Sequence, residues 1–133
     1  MLIAYNWEDF FKPKICWNRI SSIKVFSIAK EGIFIQDSMH FIVGDNLYYL
    51  LALLNSKLLQ WQLSKIIGES AGGNAGNADN ILNLPIPKQK NNKLEYLAKS
   101  IEKNEDKEIQ NIINQIVYQL YNLSQEEIDY IEK

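Results

Sequence analysis

The chain has 133 residues, of which 47% are hydrophobic and 23% are charged. This length suits one domain, and this composition allows a hydrophobic core, which argues against global disorder. The sequence has no uncharged apolar run of about 18 residues that would predict a membrane span, and Glu8 and Asp9 interrupt any signal-peptide pattern. The single cysteine, Cys16, cannot form an internal disulfide and fits the cytoplasmic location that we expect.

The formal net charge of −2 gives no overall sign of nucleic-acid binding, but the charge is unevenly distributed. Residues 1–90 contain nine Lys or Arg and seven Asp or Glu, a net +2, whereas residues 91–133 contain five and nine, a net −4. A surface that binds nucleic acid is therefore expected in the first two thirds of the chain. A solvated acidic tail would explain the same asymmetry.

The N-terminal part of the chain predicts short strands. Polar and apolar residues alternate over 14–20, with Pro13 just outside, which is typical of a strand. Residues 24–29, 33–36 and 39–43 predict three more strands. The short spacings between them favour a small antiparallel sheet of hairpins over a crossover topology.

Residues 45–67 predict a central helix, with Asp45 as its N-cap and Gly68 just beyond its end. Two apolar faces run along it, formed by Leu47, Leu50, Leu51, Leu54, Leu58 and Trp61 on one side and by Tyr48, Ala52, Leu59, Leu63 and Ile66 on the other. A helix that is apolar on two sides is expected to be buried between other elements. Its one polar stripe would then face water or a ligand: Ser56, Lys57, Gln60 and Ser64.

Residues 68–80 contain four of the six glycines and predict a loop, and Pro85 and Pro87 favour an extended conformation over 81–87. The last third predicts helices: apolar residues follow helical spacing over 94–101 and again over 109–120. A capping-box sequence then starts a final helix, with Ser124 and Glu127 as the box. The predicted fold is α+β, a small antiparallel sheet packed on a central buried helix, with a helical C-terminal portion.

Four blocks of the sequence, in this order, carry a resemblance to a known family. They are residues 11–20 (FKPKICWNRI), 49–58 (YLLALLNSKL), 84–87 (LPIP) and 117–128 (VYQLYNLSQEEI). They resemble the TaqI-like C-terminal specificity domain of N6-adenine DNA methyltransferases and type IIG restriction–modification enzymes. The resemblance implies a target-recognition domain that reads a short duplex sequence for a methyltransferase elsewhere in the same polypeptide.

This resemblance implies an organisation and a set of partners. Residues 1–90 would form an α/β DNA target-recognition region that contains the loop 68–80, and residues 91–133 would form the helical C-terminal portion of the same domain. The implied partners are double-stranded DNA and the catalytic methyltransferase domain of a longer parent chain, without a membrane. No cofactor is expected in this fragment, whereas S-adenosylmethionine, with Mg²⁺ as a candidate ion, is expected in the catalytic domains of the parent.

Several catalytic motifs are missing from the sequence, so we expect that the chain is not an enzyme by itself. It has no Asn-Pro-Pro-aromatic run, no glycine-rich S-adenosylmethionine loop after a strand, and no Asp…Glu-X-Lys nuclease pattern. His40 and Cys16 are the only histidine and cysteine, which are too few for a zinc site without many carboxylates. We interpret His40 as an ordinary strand residue and Cys16 as a small buried one.

Basic and amide side chains are the candidates for DNA contact. Cations suit phosphates, arginine can also pair with guanine, and asparagine can read adenine. The basic candidates around the predicted sheet are Lys12, Lys14, Arg19, Lys24 and Lys30, and Lys57 and Lys88 lie further along the chain. The amide candidates are the loop residues Asn74, Asn77 and Asn80. A solvated sheet surface and a plain connecting loop explain the same residues without DNA.

The alternative function is a helical protein-interaction or scaffold module that docks onto a partner domain without DNA contact. A contiguous positive face built from residues 12–30 and the loop would favour DNA. An exposed apolar helical face without a basic patch would favour the scaffold.

Overall fold

The computed structural model of the protein describes residues 2–3, 12–18, 26–29, 39–69, 81, 83–88 and 91–133. Within this part of the chain four strands form one sheet: β1 (Leu2–Ile3), β2 (Lys14–Asn18), β3 (Ser27–Ala29) and β4 (Met39–Val43). The helices described there are α1 (Leu47–Leu54), α2 (Lys57–Glu69), α3 (Asn92–Lys103), α4 (Lys107–Leu120) and α5 (Gln125–Glu132). The predicted α+β class is confirmed.

The sheet has the strand order β1-β4-β2-β3, and all its neighbours are antiparallel. In the register, Cys16 lies opposite Ser27 on one side and opposite Phe41 on the other. The predicted strand at 39–43 is confirmed. Of the one predicted at 24–29, residues 27–29 form β3, Phe26 lies just before it, and residues 24 and 25 are outside the described part of the chain. The predicted strand at 33–36, and the last two residues of the one at 14–20, lie outside the described residues.

The two faces of the sheet belong to two clusters of buried side chains. Ile15, Trp17 and Ile42 pack into the main core with the helices. Cys16 and Phe41 belong to a second, smaller cluster on the opposite face. This division follows from the two-residue period of a strand, which sends successive side chains to opposite faces. Side chains on both faces of β2 and β4 are therefore covered.

The predicted central helix is interrupted, and the prediction of one continuous helix over 45–67 was wrong. The helix α1 ends at Leu54, Asn55 is its C-cap, and α2 begins at Lys57. The Ser56 hydroxyl donates to the Leu53 carbonyl at 2.6 Å and accepts from the Leu59 amide at 3.3 Å. Asparagine and serine compete with the helix for backbone hydrogen bonds, so this pair can end one helix and start another.

Asn55 links this break to the sheet. Its Nδ2 donates to the Phe26 carbonyl at 2.8 Å, while its Oδ1 accepts from the Phe26 amide at 3.0 Å. The side chain amide therefore pairs with Phe26 as a neighbouring strand would, just before β3 begins. This interaction across 29 residues gives the physical reason for the break between α1 and α2.

The ends of the α1–α2 region also differ from prediction. The N-cap of α1 is Asn46 rather than Asp45, and α2 continues through Gly68 to Glu69. The loop expected at 68–80 therefore starts later, and residues 70–80 lie outside the described part of the chain. Ile81 is helical, and the Leu84 amide donates to its carbonyl at 3.2 Å, so the run expected to be extended from 81 begins with a turn.

The C-terminal helices match the sequence prediction and share the main core with the sheet and α1. Their buried positions follow helical spacing: Leu94, Leu97 and Ala98 on α3, Ile113, Val117 and Tyr118 on α4, and Ile131 on α5. Each helix has a side-chain N-cap, namely Asn91, Asp106 and Ser124 in turn, and the capping box of Ser124 with Glu127 is confirmed. The Asn114 Oδ1 on α4 also accepts from the Lys57 amide at 3.0 Å, so α4 caps the start of α2.

Candidate functional site

A cleft of about 260 Å³ opens where β4 ends and α1 begins. Its lining is mostly apolar and includes Leu47 and Ile86. Its rim is polar, because Asp45, Asn46 and Lys88 are all exposed there. A mostly apolar concavity with a few polar groups at its edge is the usual form of a binding site.

The turn into this cleft has an unusual backbone. Gly44 has φ 154°, and Asn46 has φ 58° and ψ 39°, in the left-handed region. Nothing lies within 4 Å of a Cβ built on Gly44, so its backbone angle rather than crowding favours glycine. Asn46 stands at the N-cap of α1 but makes no side-chain capping hydrogen bond. Its side-chain amide is therefore not committed to the helix start, and Asn46 lines the same cleft as Lys88.

Two tyrosines hold the other wall of the cleft in place. The Tyr49 hydroxyl donates to the Pro87 carbonyl at 3.1 Å, and the Tyr121 hydroxyl donates to the Pro85 carbonyl. Residues 85 and 87 are prolines and have no N–H, so their carbonyls are the backbone groups available for these hydrogen bonds. These bonds fix the segment that carries Lys88.

Both phenols are donors at neutral pH. Burial raises the pKa of Tyr49, and burial, followed by the electrostatic effect of Tyr49, raises the pKa of Tyr121 to about 12. The tethers on residues 85 and 87 therefore persist across the physiological pH range.

The structure places the described basic candidates in different surroundings. Lys12 and Lys57 are exposed, just before β2 and at the first position of α2, and Lys88 is exposed at the cleft. Of these candidates, Lys88 is the one that contributes to the cleft. The candidates Arg19, Lys24, Lys30, Asn74, Asn77 and Asn80 lie outside the described residues.

Lys14 is fully buried, with its ammonium 5.8 Å from the centre of the Phe41 ring. Burial lowers the pKa of Lys14, and Cys16 opposes this effect. Lys14 therefore contributes to the second cluster of the sheet rather than to an open basic surface. Its role in DNA contact stays a prediction that would require the side chain to become accessible.

Cys16 and His40, the cysteine and histidine considered above, lie in β2 and β4. Cys16 is buried, as predicted, and its Sγ donates to the Ser27 carbonyl at 3.6 Å. Burial raises the pKa of the Cys16 thiol, so the protonated and unreactive form is favoured. His40 lies in β4 opposite Trp17.

Neither a metal site nor a membrane-spanning helix is found among the described residues. They contain no group of three His, Cys, Asp or Glu side chains placed to hold a metal ion. In the same part of the chain, no helix has the length and apolar character needed to cross a bilayer. What the described residues do show is a cleft with a polar rim on a small α+β scaffold, which has the form of a candidate binding site.

Comparison with known proteins assigns the chain to a family. The family described as the TaqI-like C-terminal specificity domain matches residues 3–87, and the chain belongs to this family. It is thus a specificity domain of the restriction–modification type. The matched residues include β2, β3, β4, α1, α2, the second residue of β1 and most of the cleft, whereas α3, α4 and α5 follow the match. No curated protein matches the chain.

The sequence missed Asn46 as a candidate because it appeared to be an ordinary residue inside a predicted helix. Its left-handed backbone is the structural signal, since non-glycine residues with positive φ are uncommon and asparagine is the most frequent among them. A sequence signal was present in the Gly44-Asp45-Asn46 run, whose residue types are all common in turns.

Proposed function

We propose that this domain reads a short DNA sequence for a type II restriction–modification enzyme or an adenine-specific DNA methyltransferase. The match of residues 3–87 to the specificity-domain family is the observation that carries this proposal. In this function the domain is not catalytic. The methyltransferase domain of the parent chain binds S-adenosylmethionine, with Mg²⁺ as a candidate ion for cleavage, and acts on the DNA that this domain has positioned in the cytoplasm.

The proposed DNA surface extends from the cleft rim to the strand ends of residues 1–90. Lysines there hold phosphates and set the register of the duplex, while arginine and asparagine side chains read base edges. The phosphate contacts are assigned to Lys12, Lys24, Lys57 and Lys88, with Lys14 as a contact only if it becomes accessible. The base contacts are assigned to Arg19 for guanine and to Asn46, Asn74, Asn77 and Asn80 for adenine.

Charge distribution supports this placement. The net +2 of residues 1–90 attracts a polyanion, whereas the net −4 of residues 91–133 repels it. Asn46 adds an amide that the helix start does not use, in the same cleft as the exposed Lys88. A side chain pair of this kind can combine one phosphate contact with one base contact.

A salt titration tests the phosphate contacts. A variant with Lys12, Lys24 and Lys88 changed to glutamine is compared with the wild type on labelled duplexes at two salt concentrations. We expect weaker binding to all sequences alike and a salt slope lower by roughly 0.9 for each lost contact. Lys14 is kept, because replacing a buried side chain would disturb the sheet.

The matched control changes three exposed lysines of the acidic part, Lys93, Lys103 and Lys107, to glutamine. This control removes the same amount of charge from residues 91–133, which lie outside the proposed DNA surface. Its affinity for DNA and its salt slope should therefore equal those of the wild type. Equal losses in both variants would show a nonspecific charge effect and would contradict the proposed surface.

Single substitutions test base reading in the full-length parent enzyme. Arg19→Ala and Asn46→Ala should each lower the binding free energy for the target sequence by roughly 1–3 kcal/mol. Each should also relax selectivity at one base position, because a bidentate contact to that base is lost. The measurement is a competition series with single-base variants of the target. A uniform loss across all variants would indicate phosphate contact or a folding defect instead.

Absence of catalysis is tested by incubating the chain with duplex DNA, labelled S-adenosylmethionine and Mg²⁺. We expect neither methyl transfer nor cleavage above the blank. If the intact parent also has no DNA affinity, the domain functions as a protein-docking module rather than as a DNA reader.

A further inference from the structure

A second cleft, of about 350 Å³, lies between α2 and α5, and it is distinct from the cleft beside β4. Its walls are formed by the apolar residues Leu58, Leu123 and Ile131, and its mouth by Trp61 and Tyr130. Tyr130 is 59% exposed, which is unusual for a large aromatic side chain. The volume is at the lower end of the roughly 300–1,000 Å³ typical of ligand clefts, so it suits one side chain.

The α2–α5 cleft is rich in hydrogen-bond acceptors. Two carboxylates line it, those of Glu126 and Glu127, and both residues are exposed. Gln62 also lines it, and among the described residues its Oε1 is a buried side-chain acceptor without a hydrogen-bond partner. A buried acceptor of this kind costs free energy until a donor reaches it. The terminal torsion of glutamine is soft, so a small rotation can turn this oxygen toward an entering donor.

The two aromatic rings at the mouth favour a cation. Trp61 and Tyr130 meet edge to face, with their ring centres 6.0 Å apart and their planes at 78°. The ammonium groups of Lys65 and Lys133 already lie 5.4 and 5.8 Å from these ring centres. The negative faces of aromatic rings attract such groups, so this part of the surface selects positive charge.

The charged residues around the cleft also favour a cation. Residues 125–132 contain four acidic residues and no basic one, which outweighs Lys65 and Lys133. A DNA phosphate would be repelled here, whereas a cationic side chain with an apolar stem would complement both the walls and the rim.

We propose that the α2–α5 cleft binds an arginine side chain presented by a polypeptide partner. The guanidinium stacks against the Trp61–Tyr130 pair and donates to the Gln62 carbonyl oxygen and the Glu126 carboxylate, while its methylene stem contacts Leu58 and Leu123. Arginine fits better than lysine, because its planar guanidinium stacks on rings and carries several donors in a fixed plane. The face that holds this cleft is thus a protein-docking surface, separate from the proposed DNA surface.

The probe for this test is N-acetylarginine amide, and N-acetylcitrulline amide is its neutral isostere. Binding to the whole 133-residue chain is followed by the indole N–H resonance of Trp61, which the variant Trp61→Phe identifies. We expect saturable shifts with a dissociation constant on the order of millimolar, as for a single side chain, and affinity for the citrulline probe at least about five-fold weaker.

Two glutamine variants make the test specific. Glu126→Gln, an exposed change that leaves the helix cap intact, should weaken arginine binding about two- to five-fold, as expected for the loss of one exposed charge partner. The matched control Glu108→Gln removes an exposed carboxylate from the first turn of α4, outside the cleft, and should bind as the wild type does.

Three outcomes would overturn the proposal: no saturable shift with the arginine probe, equal affinity for citrulline, or equal effects of Glu126→Gln and Glu108→Gln. A duplex oligonucleotide serves as the separate arm of the experiment. It should leave the Trp61 resonance unchanged even where it binds the domain, and a shift caused by DNA at this position would assign the cleft to nucleic acid. The result is independent of the salt titration of the lysine variants.

Discussion

Two helix-to-helix junctions of this domain use the same residue types in opposite surroundings. Between α1 and α2, Ser56 is fully buried and Asn55 is half-buried. Between α4 and α5, Asn122 and Ser124 are exposed, and Asn122 has φ 54°. The buried pair connects to another part of the fold, since Asn55 holds Phe26, whereas the exposed pair serves its own two helices.

At the exposed junction, the capping hydrogen bonds join residues that are close in sequence. The Leu123 amide donates to the Tyr118 carbonyl at 3.1 Å, and the Asn122 amide to the Gln119 carbonyl at 3.0 Å. These two bonds form a Schellman motif with asparagine in the left-handed position, and the Ser124 capping box follows it directly. A junction of this kind contributes to two helix ends, whereas the α1–α2 junction contributes to the packing of the sheet as well. Caps should therefore matter more in the buried junction.

The largest effect is expected for Asn55→Ala. This change removes both hydrogen bonds to Phe26 and leaves its amide and carbonyl without these partners. At about 1–3 kcal/mol for each unsatisfied group, two fully buried groups would cost roughly 2–6 kcal/mol. Because both bonds are only partly buried, we expect a loss of roughly 2–4 kcal/mol in the free energy of unfolding, measured by urea denaturation. The control Asn111→Ala, at an exposed position of α4, should stay within about 0.5 kcal/mol. A loss below about 1 kcal/mol for Asn55→Ala would show that the link to Phe26 is dispensable.

A smaller loss is expected for Ser56→Ala. The change removes the acceptor of the Leu59 amide at the start of α2, inside the core. Loss of an N-cap costs about 0.5–2 kcal/mol, and full burial places this site in the upper half of that range. Ser64→Ala is the matched control, because the Ser64 hydroxyl donates to a carbonyl within α2 at an exposed position. If the two serine variants unfold at the same urea concentration, Ser56 is not a functional cap.

Ser124→Ala should cost about 1 kcal/mol, less than Ser56→Ala, because water can replace the lost acceptor at the exposed junction. The same denaturation experiment ranks the two caps directly. The comparison between the junctions fails if the exposed cap proves the more costly to remove.

The smallest effect is a pH dependence at the same exposed cap. The Ser124 backbone amide donates to the Glu127 carboxylate at 2.8 Å, and this bond holds the pKa of Glu127 below its ordinary value of 4.5. Because the folded pKa is the lower one, the stabilisation is present above pH 4.5 and is lost as the pH falls through the folded pKa. Unfolding measured from about pH 6 to pH 2 should show this loss in the wild type and not in Glu127→Gln. Parallel pH profiles for the two proteins would show that the Glu127 carboxylate does not stabilise the cap.

Residues with local signals were predicted well from the sequence. The apolar spacing of Leu94, Leu97 and Ala98 located α3, and the Ser124 and Glu127 pair located the start of α5. These elements depend on neighbours within one or two turns, which a sequence displays directly. The same is true of β4, whose predicted bounds the structure reproduces.

Residues whose roles depend on distant partners were not predictable. Ser56 appeared to belong to a polar stripe, because nothing near it in sequence shows that the Asn55 amide pairs with Phe26. Lys14 appeared to be exposed, since charged residues are rarely buried, yet both faces of β2 are covered. The cleft beside β4 brings Lys88 and Asn46 into one lining although they are far apart in sequence, and such a pairing leaves no periodic signal.

The tyrosine tethers of the proline segment have a consequence for exchanging specificity between enzymes. The family match ends at residue 87. The hydroxyl that donates to the Pro85 carbonyl belongs to Tyr121, which comes after two further helices in the sequence, α3 and α4. A graft of residues 3–87 into a foreign enzyme would leave that anchor behind and would uncover the apolar surface that α3 shields on α1. Under the proposed function, the smallest transferable unit for a new target sequence should therefore include Tyr121, the C-cap of α4, which lies beyond the limits of sequence similarity.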